Sequence, residues 1–354
     1  MKHNFNAGPS VLPQQVIEET IGALKNFGGT GLSVAEISHR TAKWEDAMNE
    51  CRSLWKELLS IPEGYQVLFL HGGASMQFLM LPFNLLEKKA AYLDTGVWAT
   101  KALEAARYYG QVQVIASGKD TNYSAIPKYE IPADADYFHF TSNNTIYGTQ
   151  ISTDPDSPVN MVCDMSSDIL SRPVDVSKYA VIYGGAQKNA GTAGVAFVIV
   201  KEDVLGKVTR DIPPIMDYRI HIKNESMYNT PPVLPIFIMK ENLKWLKSIG
   251  GISAVNEINK AKAELLYNEI DRNSVFKATA AIENRSVMNV CFIMNDEYAG
   301  KEKEFLDFSK EYGIEGIKGH RYVGGFRASL YNALPIESVE VLVQCMKDFE
   351  NSLN

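Results

Sequence analysis

Two hydrophobic rhythms alternate along this chain. Residues 13–27 and 44–59 place apolar side chains at intervals of three and four. In the second segment these are Met48, Cys51, Leu54, Trp55 and Leu58. That spacing predicts helices with one buried face. From Gln66 onward the rhythm changes to short continuous apolar runs at 66–70, 90–93, 112–116, 137–141, 159–164, 180–184 and 195–200. Helical stretches at 76–86 and from Gly96 to Tyr109 fall between the earlier runs. Strands apolar throughout, interleaved with helices, predict a mostly parallel sheet of the seven-stranded type, flanked by helices in an α/β fold. Ligands on such sheets bind beyond the C-terminal ends of the strands.

The pattern shifts again later. Pro213-Pro214 and Pro231-Pro232 bracket an irregular stretch, a helix is predicted at 235–249, and Gly250-Gly251 ends it. A long helix at 252–272, strands at 287–294 and 327–331, and a closing amphipathic helix at 336–353 predict a smaller α+β unit. The segment 5–13 reads as an irregular arm. The expected division is a large domain at 14–250 and a small one made of 1–13 with 251–354. A chain of 354 residues is long for a single core.

Composition narrows the partners. Hydrophobic residues are 45% and charged residues 22%, with a formal net charge of −7. An acidic total argues against nucleic acid or an anionic membrane surface, yet permits a local anion site built from a few Arg and His residues. The four cysteines, Cys51, Cys163, Cys291 and Cys345, are scattered without a CxxC or a nearby His. Reduced thiols are expected, with neither a disulfide framework nor a metal site. Residues 1–11 lack an apolar signal core and no run reaches membrane-spanning length, so the cytoplasm is the expected compartment.

Two residues at predicted strand ends suggest chemistry. Asp164 closes the run 159–163, where a carboxylate can face a buried cation. Lys188 follows the run 180–183 in a glycine-rich surround of Gly184, Gly185, Gly191 and Gly194, which lets the backbone turn sharply and a flat ring approach. Taken singly, a solvated loop lysine and a turn or capping aspartate are the commoner outcomes. Together they answer two demands of pyridoxal-phosphate (PLP) chemistry: an amine for the aldehyde and a carboxylate for the pyridine nitrogen.

Longer segments decide between those readings. Residues 162–176, VCDMSSDILSRPVDV, and 183–195, YGGAQKNAGTAGV, resemble the phosphoserine aminotransferase family of fold-type I PLP enzymes. The resemblance starts at FNAGPSVLP (5–13), passes through ISHR (37–40) and ends at GHRYVGGFRASLYNALP (319–335). It implies that Lys188 carries the cofactor as a Schiff base and that Asp164 pairs with its pyridine nitrogen. Trp98 would stack on the ring, and Thr145 would hydrogen-bond its phenolic oxygen. Ala74 and Ser75, where a strand gives way to a helix, and Gln187 would hold the phosphate, Ser75 through main chain and hydroxyl. Asn229 and Thr230 would reach the phosphate of a neighbouring subunit, making a homodimer with shared sites. Without the resemblance, Trp98 reads as a core tryptophan, Thr145 as a cap, 72–75 as a plain turn, and Asn229-Thr230 as a pre-proline turn.

The implied substrates are L-glutamate and 3-phosphohydroxypyruvate, giving 2-oxoglutarate and O-phospho-L-serine in serine biosynthesis. The analogue 4-phosphohydroxy-L-threonine, used in making pyridoxine, is a second substrate implied by the same resemblance. Arg327 would hold the α-carboxylate, with His39 and Arg40 in the distal phosphate pocket and His320 and Arg321 as a second pair across the dimer interface. Capping and surface ion pairs are the bland alternatives for these residues. Two His-Arg dipeptides in an acidic chain nonetheless point to local anion binding. A cysteine desulfurase on the same fold would need a cysteine in a mobile loop, and none of the four occupies an evident one. An alanine–glyoxylate aminotransferase would not need two His-Arg pairs. A catalytically silent PLP-binding scaffold would not need the complete set of Asp164, Lys188 and Arg327.

Overall fold

The structure, a computed structural model, describes residues 2–353. In chain order its strands are β1 (His3–Asn4), β2 (Tyr65–Leu70), β3 (Lys89–Asp94), β4 (Gln111–Ser117), β5 (Tyr137–Thr141), β6 (Met161–Asp164), β7 (Tyr179–Gly185), β8 (Ala196–Lys201), β9 (Phe276–Ala278), β10 (Asn289–Met294), β11 (Ile314–Glu315) and β12 (Phe326–Ser329). The helices are α1 (Gln14–Lys25), α2 (Ala42–Leu58), α3 (Gly73–Leu85), α4 (Val97–Ala106), α5 (Tyr218–Lys223), α6 (Val233–Ser248), α7 (Gly251–Arg272), α8 (Glu302–Glu311) and α9 (Ile336–Leu353).

Seven strands form the central sheet in the order β2-β8-β7-β6-β5-β3-β4. All run in one direction except β8, which is antiparallel to both of its neighbours. The apolar runs of the sequence become strands buried on both faces, except β4 at the end of the sheet, which stays largely exposed. Every residue of β5, β6 and β7 is buried, because helices cover the sheet on each side. One face packs Trp55, Phe138, Phe140, Ile182 and Phe197 against α2 and α6. The other packs Tyr92, Tyr137, Val162, Val181 and Tyr183 against α3 and α4.

A separate core joins Phe5 to residues from Ala263 to Phe349, with Phe276, Phe292, Phe305, Phe326 and Phe349 in mutual ring contact. It contains the antiparallel sheet β12-β10-β9 and the helices α8 and α9. The helix α7 spans both packing regions: Ile252 and Val255 belong to the large core, Leu266 and Ile270 to the small one. The arm after β1 passes back over the large sheet's edge, with Ser10 N donating to Gln187 O at 3.0 Å. No helix among the described residues is long and apolar enough to cross a membrane.

Candidate active site

The C-terminal ends of β5, β6 and β7, the start of α3 and the start of α4 converge on one cavity. Its lining includes Ala74, Ser75, Trp98, Thr145, Asp164, Gln187 and Lys188 from the sequence-based set. Phe78, Thr141, Asn143, Ser166 and Ser167 also line it. These five went unread in the sequence. Ser166 and Ser167 sit in the quoted segment beside Asp164, and their position after a strand end was the signal available.

Asp164 is the last residue of β6 and is buried. Its Oδ1 accepts from Ser166 N at 2.9 Å and from Ser166 Oγ at 2.6 Å. Among the described residues nothing donates to its Oδ2. Burial pushes the carboxyl upward from its usual range, while the Ser166 donors and the Lys188 charge pull it back. A carboxylate held in that state is stabilised by a further cation placed against it.

Lys188 lies beyond β7. Its Nζ donates to Thr145 Oγ1 at 2.7 Å and to Ser167 Oγ at 2.6 Å. Burial draws the amine down to about 8; Asp164 opposes this and Arg327 adds to it. An amine tuned this low has a substantial neutral, nucleophilic fraction near neutrality.

At the other end of the cavity, Gly72 precedes α3 with φ +83°, and a Cβ there would stand 2.5 Å from Met76 Cβ. No side chain caps the helix. The first bond of the helix runs from Met76 N to Gly72 O at 3.2 Å. The N–H groups of Gly73, Ala74 and Ser75 therefore remain available to an anion, with the helix dipole behind them.

Pyridoxal phosphate fits these residues. Among the described residues, buried Thr141 Oγ1 and Trp98 Nε1 have no hydrogen-bond partner, nor has Arg327 Nε. Native proteins rarely leave such groups unmatched, so these atoms mark where a polar ligand belongs. A carboxylate lacking its full countercharge, a lysine of lowered pKa and an open helix terminus match the pyridine nitrogen, aldehyde and phosphate respectively.

Arg327 reaches the rim from β12, its Nη1 donating to Thr145 O at 3.3 Å. His320 is drawn below its usual value by burial and then by the charges of Arg327, Arg321 and Lys101. Lys101 Nζ lies 4.8 Å from the Trp98 ring centroid, and the Arg321 guanidinium 5.1 Å from that of Tyr322. This rim is an electropositive patch on an acidic protein.

Four of the sequence-based candidates lie elsewhere in the chain. His39 and Arg40 occupy the turn before α2, outside the cavity lining, with Arg40 exposed. Asn229 and Thr230 are exposed and line a neighbouring, largely apolar cavity with His71, Met76 and Ile215. There His71 Nε2 lies 2.9 Å from Thr230 O. All four cysteines are free and buried, which leaves no accessible thiol of the kind a desulfurase requires.

Comparison with known proteins places this architecture. The class-V aminotransferase family profile matches residues 2–342. A phosphoserine aminotransferase of Azobacteroides pseudotrichonymphae is 60% identical over 350 residues, covering 99% of this chain and 98% of that one. The phosphoserine aminotransferase structure from Bacillus circulans subsp. alkalophilus superposes with a TM-score of 0.96 at 43% identity, covering 100% of this chain and 99% of that one. A PLP-bound phosphoserine aminotransferase from Trichomonas vaginalis gives 0.94 at 38% identity, covering 98% and 100%. By extent of match and by shared fold, the chain belongs to the phosphoserine aminotransferases within the class-V aminotransferase family.

Proposed function

We propose that this protein transfers the amino group between L-glutamate and 3-phosphohydroxypyruvate, using pyridoxal 5′-phosphate bound at Lys188. The observation that carries this reading is the convergence of Lys188, Asp164 and the open start of α3 on one cavity. When bound, the cofactor supplies an aldehyde for the substrate amine and a ring that accepts the electron pair left at the α-carbon.

The chain's own groups supply the rest. Asp164 would keep the pyridine nitrogen protonated, since its charge favours the cationic form. Thr145 Oγ1 would serve as a donor to the ring oxygen, and Trp98, which lines the cavity, would stack on the ring. The N–H groups of Gly73 to Ser75, with Gln187, bind the phosphate. The free Lys188 amine would hold and move the proton of the substrate's α-carbon. Arg327 holds the α-carboxylate with its planar fork. His320 and Arg321 add positive charge for the distal carboxylate or phosphate.

A homodimer completes the reading. Asn229 and Thr230 serve the phosphate of the opposite subunit, and His39 and Arg40 join the distal pocket in the assembled dimer. The cytoplasm is the proposed compartment.

A coupled assay with O-phospho-L-serine and 2-oxoglutarate tests the reaction. Turnover is expected, with kcat/KM for phosphorylated hydroxypyruvate far above that for the unphosphorylated compound. Equal values for the two would remove the phosphate pocket from the proposal. For the shared site, an Asn229 variant mixed with a Lys188 variant regains partial activity through hybrid dimers. Hybrids shown to form without recovery would end the shared-site reading.

A further inference from the structure

Asn189 follows Lys188 directly and is buried. Its side chain and main-chain carbonyl are engaged in three directions. Nδ2 donates to Ser167 O and to Ile169 O, each at 3.2 Å. Oδ1 accepts from Asn332 N at 3.0 Å. Its main-chain oxygen accepts from Asn242 Nδ2, on α6, at 2.8 Å.

These partners belong to different parts of the protein. Ser167 lies in the turn after Asp164, and its hydroxyl contacts Lys188 Nζ. Asn332 lies just beyond β12, the strand that carries Arg327. Asn332 is itself fixed: Nδ2 donates to Leu170 O at 3.0 Å, and Oδ1 accepts from Asn259 Nδ2 at 2.9 Å. The turn it sits in is gripped by Lys262, whose Nζ donates to Leu330 O and Tyr331 O at 2.8 Å and to Leu334 O at 3.1 Å.

The other side of Lys188 is held by the N-terminal arm. Ser10 Oγ donates to Lys188 O at 2.6 Å. The arm is tied to β12 and the turn beyond it by Ser329 N to Phe5 O at 3.2 Å and Tyr331 Oη to Ala7 O at 3.1 Å. The lysine's backbone is therefore bracketed by groups continuous with the strand of the substrate arginine.

We propose that Asn189 is a positioning residue that sets the distance between Lys188 Nζ and Arg327 by tying the lysine loop to Asn332. This rests on the reading of Lys188 and Arg327 given above. Asparagine is the residue the geometry requires, because one end faces two carbonyls and the other an N–H. An aspartate would turn a charged oxygen toward those carbonyls. An aliphatic side chain would leave three buried groups unmatched. Reaction rates are steep in such placement: an error of about 1 Å costs on the order of 100-fold. The charged groups acting on Lys188 are Asp164, Asp168 and Arg327, so a change in their spacing is read directly in its titration.

The test uses the holoenzyme and the Asn189→Ala and Asn259→Ala variants. The second loosens Asn332 while leaving Asn189 intact. For each, kcat and KM for glutamate, thermal midpoint and the pH titration of the visible absorbance of lysine-bound cofactor are measured. For Asn189→Ala, kcat is expected to fall about 10- to 100-fold, with KM changing far less and the titration midpoint displaced. Asn259→Ala shows the same pattern, smaller, and stands as the test should Asn189→Ala fail to fold. A lower thermal midpoint with kcat and titration both as in the parent would overturn the proposal and leave Asn189 a structural residue. Lys188→Ala separates the two levels. If it keeps the visible absorbance and turnover, the site reading itself fails. If it loses both while Asn189→Ala keeps the parent's kcat and titration, only the positioning role fails.

Discussion

Lys188 Nζ and Ser167 Oγ lie 2.6 Å apart, and the same hydroxyl is 2.5 Å from Thr145 Oγ1. The amine thus rests on two hydroxyls that favour its charged form, against burial and Arg327, which disfavour it. Only the neutral amine attacks an aldehyde. The rate at which apoenzyme captures pyridoxal phosphate is therefore expected to rise about tenfold per pH unit below 8 and to level off above it. Ser167→Ala removes an acceptor and moves the midpoint down; Arg327→Leu removes a repelling charge and moves it up. Stopped-flow absorbance across pH 6–10 checks both signs. Two shifts in the same direction would contradict the account.

Asp164→Asn should act oppositely on the two forms of the protein. Burial raises this carboxyl, so the apoprotein carries a cost that the amide relieves, on the order of 1 kcal/mol. On the proposed reading, the holoprotein would lose the charge that holds the pyridine nitrogen protonated. Apoenzyme thermal stability is expected to hold or rise, while cofactor affinity and kcat fall at least about 100-fold. Calorimetry and cofactor titration separate these effects.

Arg327→Lys keeps the charge and loses the fork. Cofactor binding is expected to stay near that of the parent, while kcat/KM for glutamate and for the phosphorylated keto acid each fall about 30- to 100-fold, roughly 2–3 kcal/mol. A loss confined to one of the two substrates would show that the arginine does not serve the carboxylate they share.

Lys262 makes a stability prediction with a definite sign. Burial draws its amine down to about 7, against about 10.4 in an unfolded chain. Between those values the unfolded state binds more protons, so this group adds stability as pH rises from 7 toward 10. Lys262→Met removes that gain and leaves the carbonyls of Leu330, Tyr331 and Leu334, two of which the neutral amine serves at once, without their donor, at a cost of about 3 kcal/mol. Urea unfolding should show the deficit widening between pH 7 and pH 9. A deficit that narrows would reverse the assignment.

The sheet was legible because its inner strands are buried on both faces and bounded by helices, so their apolar runs needed no partner to be recognised. The closing helix was read at 336–353, as the structure has it. What escaped depends on tertiary partners. β1 and β11 are two residues each and exist only by pairing with one another. Helix α8, EKEFLDFSKE, buries only Phe305 and Ser309, too few to set a rhythm. β9 is three residues defined by β10. In the site, Asp164 and Lys188 were readable as candidates because they follow predicted strand ends, and the resemblance of the longer segments assigned their roles. Thr141 and Asn143 were not: they lie at the end of β5 and just beyond it, and only the folded sheet brings them beside Asp164. The roles of Asn229 and Thr230 came from resemblance alone, those of His39 and Arg40 from resemblance and the paired His-Arg dipeptides, and all four stay apart from the cavity lining in this chain.

The reversed strand β8 sits between β7 and β2. Because it alone runs backward, β7 and β2 end on the same edge, one delivering the lysine loop and the other the start of α3. Neighbouring strands are spaced about 4.8 Å apart, so a single intervening strand separates the two by roughly 10 Å. β8 is in this sense a ruler. It touches no ligand, yet it sets how long a molecule must be to reach from an amine at one end to an anion cradle at the other.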